Sequence, residues 1–460
     1  MKILRNLTLI VVLALAGRPG SVPAQTLTNL WTFGNGGGQG FYPFASLIQA
    51  TDGNFYGTVG SGGSSNNGAV FRITPAGTLT YLHLFTGSDG ANPSANLVQG
   101  SDGNFYGTTG SGGTSNDGTV FQITPSGSLT NLHSFLGSDG SNPQAGVIQR
   151  SDGNFYGTTY SGGANGTGTV FKISPTGTLT ILYSFSGPDG AFPYATLLLG
   201  GDGNFYGTTY AGGANGSGTV FRISPTGDLT NLYSFSGSDG AQPQAELVEG
   251  TDGNFYGTTY SGGTIGSGTV FQITSSGSLT NLHSFLSSDG GNPWAPLLLG
   301  SDGNFYGTCY RGGANGDGTI FRISPAGSLT NLHTFTGGVE GAFPQGPVVQ
   351  GSDGNFYGAT VNGGTNNHGT VFRLSVPLSP PANQISILVG PLPVANFTEI
   401  VVLIPSVAGE TYQLQYTAMM SPANWIDTGD PTLSIGGTLL LPDFMEVLPS
   451  QRFYRAVIIP

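Results

Sequence analysis

The sequence predicts an all-β fold, a seven-bladed β-propeller closed by an N-terminal strand and followed by a small β-sandwich domain. Each repeat offers four strand-like segments and no helical periodicity. An extra fourth-strand segment precedes the first repeat, and the last repeat lacks one. The repeat itself is marked by Asp-Gly-Asn-Phe-Tyr-Gly, found seven times at spacings of 50 or 51 residues, beginning at Asp52, Asp102, Asp152, Asp202, Asp252, Asp302 and Asp353.

Residues 1–24 have the features of a secretory signal peptide. Lys2 and Arg5 precede an apolar run, 7–16, that is too short to span a bilayer, and Ala24 is the small residue that a signal peptidase needs. We therefore expect cleavage after Ala24 and a mature chain without a transmembrane segment. The expected location is secreted, either extracellular or on the surface of a bacterial cell.

The composition excludes some classes of function. Charged residues make up 8% of the chain and the formal net charge is −12, which argues against nucleic acid as a partner. Cys309 is the only cysteine, so no intrachain disulfide can form. The 80 glycines are interpreted as turn residues, because 11% of the residues are aromatic and the period is strict.

Residues 93–137 show how one repeat divides into strands. The first predicted strand, 93–99, leads through an Asp-Gly hairpin turn into a second, 104–109, rich in aromatic and β-branched residues. A glycine-rich loop separates it from the third strand, 119–124. A Pro-Ser-Gly turn then leads to the fourth strand, 128–135.

The two ends of the repeat array predict how the ring closes. Residues 27–33 (LTNLWTF) are an unaccompanied copy of the fourth strand, and no such copy follows the last third strand, 370–375. Pairing these two segments would complete the last blade and leave no free sheet edge. The propeller is accordingly assigned to residues 26–376.

The sequence changes character after the repeats. Residues 377–384 contain three prolines and are interpreted as a stiff linker. Alternating strand-like runs fill residues 385–460, which predicts a small antiparallel sandwich. This segment resembles the immunoglobulin- or fibronectin-like tails of bacterial surface proteins, through Tyr412-Gln-Leu-Gln-Tyr416, Asn424-Trp425 and Arg452-Phe-Tyr-Arg455.

The repeat motif, G-x-D-G-x-x-P-x-A-x-L-x-x-G-x-D-G-N-F-Y-G-T-T followed by G-G and G-T-V-F, resembles that of the GloVer tandem-repeat proteins over residues 26–376. The resemblance implies an exported bacterial protein of repeated β-structure and brings no catalytic residues. Proteins of this kind often end in one of several anchor signals, whereas this chain ends in Arg455-Ala-Val-Ile-Ile-Pro460. More distantly, the Asp-Gly-Asn hairpin is similar to that of virginiamycin B lyase-like propellers.

Neither the aspartates nor the histidines predict a metal or acid–base site. Asp-Gly-Asn supplies one carboxylate per turn, so we expect no cofactor, with structural calcium as the alternative to a purely conformational role. One repeat position holds either histidine or tyrosine, which indicates a packed, partly buried ring. Its occupants are His83, His133, Tyr183, Tyr233, His283 and His333, with Trp31 in the first copy.

Positions whose residues differ from one repeat to the next predict a ligand-binding face of the propeller. Residues around the proline that opens each blade, and those opening the loop after the second strand, vary and are often aromatic. Aromatic rings beside neutral amides and hydroxyls suit neutral sugars, although such rings can instead fill gaps between blades. The candidate ligand-binding residues are Tyr42, Phe44, Tyr160, Phe192, Tyr194, Tyr210, Tyr260, Trp294, Tyr310 and Phe343.

The functional prediction is an exported, non-catalytic binding or surface-interaction module. We expect a monomer whose partner is an extracellular glycan or protein. The alternative is a propeller-based polysaccharide lyase or glycosidase, and a purely structural role is the third option. A glycosidase needs paired carboxylates, and the acids that depart from the repeat are few and assigned no catalytic role: Asp117, Glu246, Glu249 and Glu340.

Overall fold

The computed structural model describes residues 26–34, 40–43, 46–63 and 65–375, and beyond them the backbone of six strands between residues 386 and 459. The chain divides into two compact units, Met1–Pro377 and Leu378–Pro460. Regular structure in the described residues consists of β-strands alone. The predicted signal peptide, 1–24, and the predicted linker, 377–384, lie outside the described residues and stay predictions.

Seven four-stranded antiparallel sheets form the blades of a propeller. The innermost strands are Ile48–Gln49, Val98–Gln99, Ile148–Gln149, Leu198–Leu199, Val248–Glu249, Leu298–Leu299 and Val349–Gln350. The second strands are Phe55–Val59, Phe105–Thr109, Phe155–Thr159, Phe205–Thr209, Phe255–Thr259, Phe305–Cys309 and Phe356–Thr360. The third strands are Ala69–Ile73, Thr119–Ile123, Thr169–Ile173, Thr219–Ile223, Thr269–Ile273, Thr319–Ile323 and Thr370–Ser375. The prediction of seven blades is therefore confirmed.

The outer strand of the seventh blade comes from the start of the chain. In the first six blades the outer strands are Leu79–Leu84, Leu129–Ser134, Leu179–Ser184, Leu229–Ser234, Leu279–Ser284 and Leu329–Thr334. The seventh is Thr26–Thr32, which pairs antiparallel with Thr370–Ser375. A short ribbon of Gly40–Phe41 and Ser61–Gly62 adds to the first blade's loop region.

Side chains also join the first blade to the last. The side-chain oxygen of Gln49 accepts the backbone N–H of Ser352 at 2.8 Å. The ring centroids of Phe55 and Tyr357 lie 4.2 Å apart. Together with the strand pairing, these contacts show that the propeller is a closed ring, as the sequence predicted.

The Asp-Gly-Asn-Phe-Tyr-Gly repeat both shapes a turn and joins neighbouring blades. One carboxylate oxygen of Asp52 accepts the backbone N–H of Asn54 at 3.0 Å, and the other accepts the Tyr56 hydroxyl at 2.8 Å. Burial alone would raise the pKa of Asp52, but the hydrogen bond from the Asn54 side chain, together with these two, holds the pKa below its ordinary value. The Tyr56 ring then stacks on Phe105 of the next blade with 4.1 Å between centroids. The same Tyr–Phe contact recurs between every two neighbouring blades, and both side chains are buried in every blade.

The innermost strand is shorter than the sequence predicted. Of the predicted segment 93–99, only Val98–Gln99 is a strand. Pro93 has no N–H to donate, and the Ala95 carbonyl accepts the Thr58 hydroxyl of the preceding blade at 3.2 Å. The prediction was wrong at 93–97 because this segment bonds to the neighbouring blade instead of pairing within its own.

Six strands of the second unit form two antiparallel sheets. Ser386–Pro391, Thr398–Ser406 and Gly437–Met445 make one, and Thr411–Thr417, Ile426–Leu433 and Phe453–Ile459 make the other. The immunoglobulin- or fibronectin-like sandwich stays a prediction.

Candidate functional site

Two chain segments of each blade meet on one face of the propeller. In the fourth blade, the Phe192 N–H donates to the Thr167 carbonyl of the preceding blade at 2.8 Å, and the Phe192 carbonyl accepts the Tyr210 N–H at 3.0 Å. The fifth blade repeats the second bond between Gln242 and Tyr260, at 3.1 Å. The residue before each proline and the residue after each second strand therefore lie side by side, as expected for a shared face.

The residue before the proline has a positive φ, between 53° and 61°, in all seven blades: Tyr42, Asn92, Asn142, Phe192, Gln242, Asn292 and Phe343. Asparagine tolerates this left-handed conformation, and three of the blades use it. Tyrosine, phenylalanine and glutamine at the other four positions are strained. Local backbone preference therefore does not explain the choice of these four side chains.

Two rings of side chains line the central channel below this face. The upper ring is contributed by the residue after each proline, and its described members are Ser94, Gln144, Tyr194, Gln244, Trp294 and Gln345. The lower ring lies two residues further along the chain, and its described members include Ser46, Asn96, Thr196, Glu246, Pro296 and Pro347. The cavity that they enclose measures about 80 Å³.

Hydrogen bonds narrow the lower ring. The Thr196 hydroxyl donates to Oδ1 of Asn96 at 3.2 Å and accepts the Gly146 N–H at 3.1 Å. A Cβ added to Gly146 would lie 2.7 Å from the Asn96 carbonyl oxygen. Glycine at this position thus permits the second, third and fourth blades to close together at the axis.

Aromatic rings converge at the mouth of the channel. Trp294 has its ring centroid 6.1 Å from that of Tyr194 and 5.2 Å from that of Tyr260. The Tyr160 centroid is 5.9 Å from that of Tyr194. These rings, with Tyr210 and Gln244, line a pocket of about 330 Å³, called here the aromatic pocket.

The aromatic surface continues on both sides of this pocket. Phe192 stacks on Tyr160 with 5.0 Å between centroids. In the other direction Tyr310 lies 6.1 Å from Trp294 and 5.2 Å from Phe343. The structure therefore brings together eight of the ten residues predicted to bind ligand.

The structure does not bring the remaining two predicted residues together with this surface. Tyr42 packs in a separate cluster, with 5.1 Å between its centroid and that of Phe41 and 5.9 Å to that of His368. Phe44 lies outside the described residues.

Gln244 forms the polar floor of the aromatic pocket. Its side chain lines both this pocket and the channel, and the residue is only 6% exposed. Among the described residues its amide group has no hydrogen-bond partner. Sequence reasoning missed this residue. The signal was available, because Gln244 occupies one of the varying positions beside the blade prolines.

A second pocket, of about 350 Å³, opens beside the first and is called here the amide pocket. Tyr194 and Trp294 line it as well, but the rest of its wall is small or polar: Gly60, Ser61, Asn92, Ser94, Gln144 and Gln345. The Ser94 hydroxyl donates to the side-chain oxygen of Gln144 at 2.8 Å. None of these small or polar wall residues was predicted as a site residue.

Glu246 is the one carboxylic acid among the described residues that line the channel cavity. Burial raises its pKa to about 8. The three other acids that depart from the repeat have partners elsewhere. Glu249 accepts the Gly201 N–H, Asp117 accepts the Ser141 hydroxyl, and Glu340 lies 3.1 Å from His333.

The repeated histidines bind the turns between blades. Nε2 of His133 lies 2.9 Å from Oδ2 of Asp139, and the Tyr233 hydroxyl occupies the same position, donating to Asp239 at 2.5 Å. The packing interpretation was therefore incomplete, because the ring also serves as a hydrogen-bonding group. Across residues 26–375, gaps aside, no three His, Cys, Asp or Glu side chains are grouped to hold a metal ion.

Fold and site together define a closed seven-bladed β-propeller with an aromatic mouth. The chain belongs to the Gloeobacter/Verrucomicrobia repeat family, whose model matches residues 21–151, 126–285 and 198–388. No curated protein matches the sequence. None of the described segments forms a helix long and apolar enough to cross a membrane.

Several solved structures resemble the chain at low sequence identity. A 6-phosphogluconolactonase candidate from Bacteroides uniformis is 17% identical, with a TM-score of 0.48, covering 85% of this chain and 99% of its own. A lectin from Burkholderia pseudomallei is 10% identical, with a TM-score of 0.45, covering 74% and 99%. An ulvan lyase is 12% identical, with a TM-score of 0.41, covering 67% and 86%.

Proposed function

We propose that the chain is a non-catalytic binding propeller that recognises a neutral glycan at the mouth of its channel. The observation that carries this proposal is the aromatic pocket with Gln244 at its floor. A sugar ring has apolar C–H faces that pack on aromatic rings and hydroxyls that need hydrogen-bond partners. The Gln244 amide offers both a donor and an acceptor.

The charge of the surface favours a neutral ligand. Among the described residues, no charged side chain lines either the aromatic pocket or the amide pocket. The formal net charge of the chain, −12, would repel a polyanion at low ionic strength. A neutral sugar therefore loses less binding free energy to charge repulsion than an acidic sugar does on entering these pockets.

Backbone strain supports the same proposal. Phe192 holds a φ of 58° while its ring stacks on Tyr160. Such strain in a bulky residue costs about 1–2 kcal/mol and is often retained where the side chain serves a function. A glycan-contacting ring is a function that would retain it.

The test is affinity electrophoresis of the purified propeller against a panel of neutral and acidic polysaccharides. We expect retention by a neutral polymer, and loss of retention in Tyr210→Ala and Trp294→Ala. Tyr183→Ala removes a half-buried tyrosine from an outer strand and is the matched control. The polymer should retain this variant as it retains the unchanged protein. The proposal is contradicted if no polymer retains the protein, or if the two mouth variants alter only thermal stability.

The alternative is an enzyme, either a polysaccharide lyase or a glycosidase. Glu246 favours it, since its raised pKa would keep a proton available near pH 7. A glycosidase also needs a second carboxylate about 5–9 Å away, and none stands among the described residues lining the channel cavity. Assaying the same polysaccharide panel for new reducing ends and unsaturated products tests this alternative. A purely structural role predicts neither retention nor products.

We further propose that the protein is exported as a monomer after cleavage at Ala24, with an immunoglobulin- or fibronectin-like second domain. The basic and apolar character of residues 2–16 supports export. N-terminal sequencing and sedimentation of the protein recovered from a bacterial host test cleavage and oligomeric state. A mature chain that begins at Met1 would contradict export by this route.

A further inference from the structure

The two pockets of the mouth share a wall. Tyr194 and Trp294 line both the aromatic pocket and the amide pocket. Their ring centroids lie 6.1 Å apart, with the planes at 78°. A ligand that fills one pocket therefore reaches the edge of the other without crossing a gap.

The two pockets differ in chemistry. Four tyrosines, one tryptophan and one glutamine form the aromatic pocket. The amide pocket adds Asn92, Ser94, Gln144 and Gln345, whose side chains bond through amides and a hydroxyl. The first pocket suits stacking on the face of a sugar ring, and the second suits hydrogen bonds to hydroxyls at the edge of a ring.

The channel below is too small for a sugar chain to pass. Its cavity of about 80 Å³ compares with about 330 and 350 Å³ in the two mouth pockets. Hydrogen bonds among Asn96, Gly146 and Thr196 keep it narrow.

We infer that the mouth binds at least two consecutive sugars of a polysaccharide, one in each pocket, and that the chain lies across the channel without threading it. This inference rests on the proposed function. Because the ligand enters sideways, the site takes an internal segment of the polymer and needs no chain end.

A series of fragments tests the two subsites. The fragments are the mono-, di- and tetrasaccharide of whichever neutral polymer retains the propeller, measured by calorimetry. The disaccharide should bind about tenfold more tightly than the monosaccharide, because the second sugar adds several hydrogen bonds. Equal affinity of the two would overturn the inference while leaving glycan binding intact.

Two variants separate the pockets. Gln144→Ala, in the amide pocket, should remove most of the gain from mono- to disaccharide and leave monosaccharide affinity unchanged. Tyr260→Ala, in the aromatic pocket, should weaken both ligands. Asn231→Ala removes an exposed amide from an outer strand and is the matched control. Equal losses for both ligands in Gln144→Ala would overturn the assignment of a separate second subsite.

Counting propellers on one polymer chain tests the sideways orientation. A linear chain has two ends, so an end-binding protein saturates at two copies. We expect sedimentation of a long polymer with excess protein to show more than two copies per chain. Saturation at one or two copies would overturn the internal binding mode, whereas failure of all fragments and polymers to bind would overturn the proposed function itself.

Discussion

Trp294 of the sixth blade meets Tyr194 of the fourth blade, with 6.1 Å between ring centroids, although the fifth blade lies between them. The fifth blade has Gln244 at the equivalent position, and this smaller side chain lines the aromatic pocket together with the two rings and is 6% exposed. Its amide is left without a hydrogen-bond partner among the described residues. Neither its oxygen nor its nitrogen is among the fully buried side-chain atoms that lack a partner, so the amide is open to the pockets that it lines.

Replacing Gln244 should separate stability from binding. Gln244→Met keeps the length of the side chain and removes the amide. The free energy of unfolding should therefore stay the same or rise by up to about 2 kcal/mol. Glycan affinity should fall about tenfold or more as the hydrogen bonds to sugar hydroxyls are lost. Thermal denaturation and calorimetry measure the two effects. Gln122→Met is the matched control, since that glutamine donates to the Tyr106 hydroxyl and its loss should lower stability alone.

Gln242→Asn should stabilise the protein. Gln242 has a φ of 56°, and its side-chain oxygen accepts the Ser261 hydroxyl at 3.0 Å. Asn92 at the same position of the second blade bonds to the equivalent serine, Ser111, at 2.7 Å. Asparagine fits this backbone better, so we expect a gain of about 0.5–1 kcal/mol in the free energy of unfolding. The reverse change, Asn92→Gln, should cost a similar amount, and the same sign for both would refute strain as the cause.

Glu246 should make stability depend on pH. Burial raises its pKa from 4.5 to about 8, so the folded protein keeps a proton that the unfolded chain releases above pH 4.5. The free energy of unfolding should therefore fall as the pH rises from about 4.5 to 8, and level off above that range. The total fall is at most on the order of 5 kcal/mol, and less where water in the channel solvates the carboxylate.

The glutamine side chain of Glu246→Gln stays uncharged, so the stability of this variant should not fall with rising pH. The variant should therefore have a higher melting temperature than the unchanged protein at pH 9 and a similar one at pH 5. Melting temperatures across that range measure the difference. Glu249→Gln removes the same charge from a residue that bonds to the Gly201 N–H and should keep the original pH dependence. Parallel curves for Glu246→Gln and the unchanged protein would contradict the prediction.

The position shared by histidine and tyrosine should tolerate either residue. His133 contacts Oδ2 of Asp139 at 2.9 Å, and Tyr233 makes the equivalent bond to Asp239. His133→Tyr should change the free energy of unfolding by less than about 0.5 kcal/mol. His133→Phe should cost about 1 kcal/mol, because Oδ2 of Asp139 loses its bond while Oδ1 still accepts the Leu136 N–H. Urea denaturation measures both variants. Equal effects of the two changes on the free energy of unfolding would show that packing alone explains the choice of residue at this position.

The sequence predicted the structural features that recur in every repeat and missed those that depend on contacts between blades. Asp52, Phe55 and Tyr56 recur in every blade, so the turn and the ring of stacked aromatics could be anticipated from period and composition. The aromatic mouth could also be anticipated, because its positions vary while the rest of the repeat does not. Gln244 stands at one of these varying positions and could have been named, but its burial, at 6% exposure, could not be anticipated from the sequence. Segment 93–97 was predicted wrongly because its hydrogen bonds go to a different blade.

Closure of the ring should depend on the N-terminal strand. Deleting residues 26–33 exposes the edge of Thr370–Ser375 and removes Phe33, which is fully buried. Loss of such a phenylalanine alone costs about 3–5 kcal/mol, so the melting temperature should fall by about 5 °C or more. Size-exclusion chromatography should also show self-association through the open edge.

A circular permutant is the matched control for this deletion. It moves residues 26–33 to follow Ser375 through a copy of the Pro125-Ser126-Gly127 turn, so the last blade gains its outer strand in the same order as the other six. This permutant should recover the melting temperature and the monomeric elution of the unchanged protein. If the deletion melts as high as the permutant, the pairing of Leu27 with Leu374 contributes nothing to stability, and the other blade contacts alone hold the ring together.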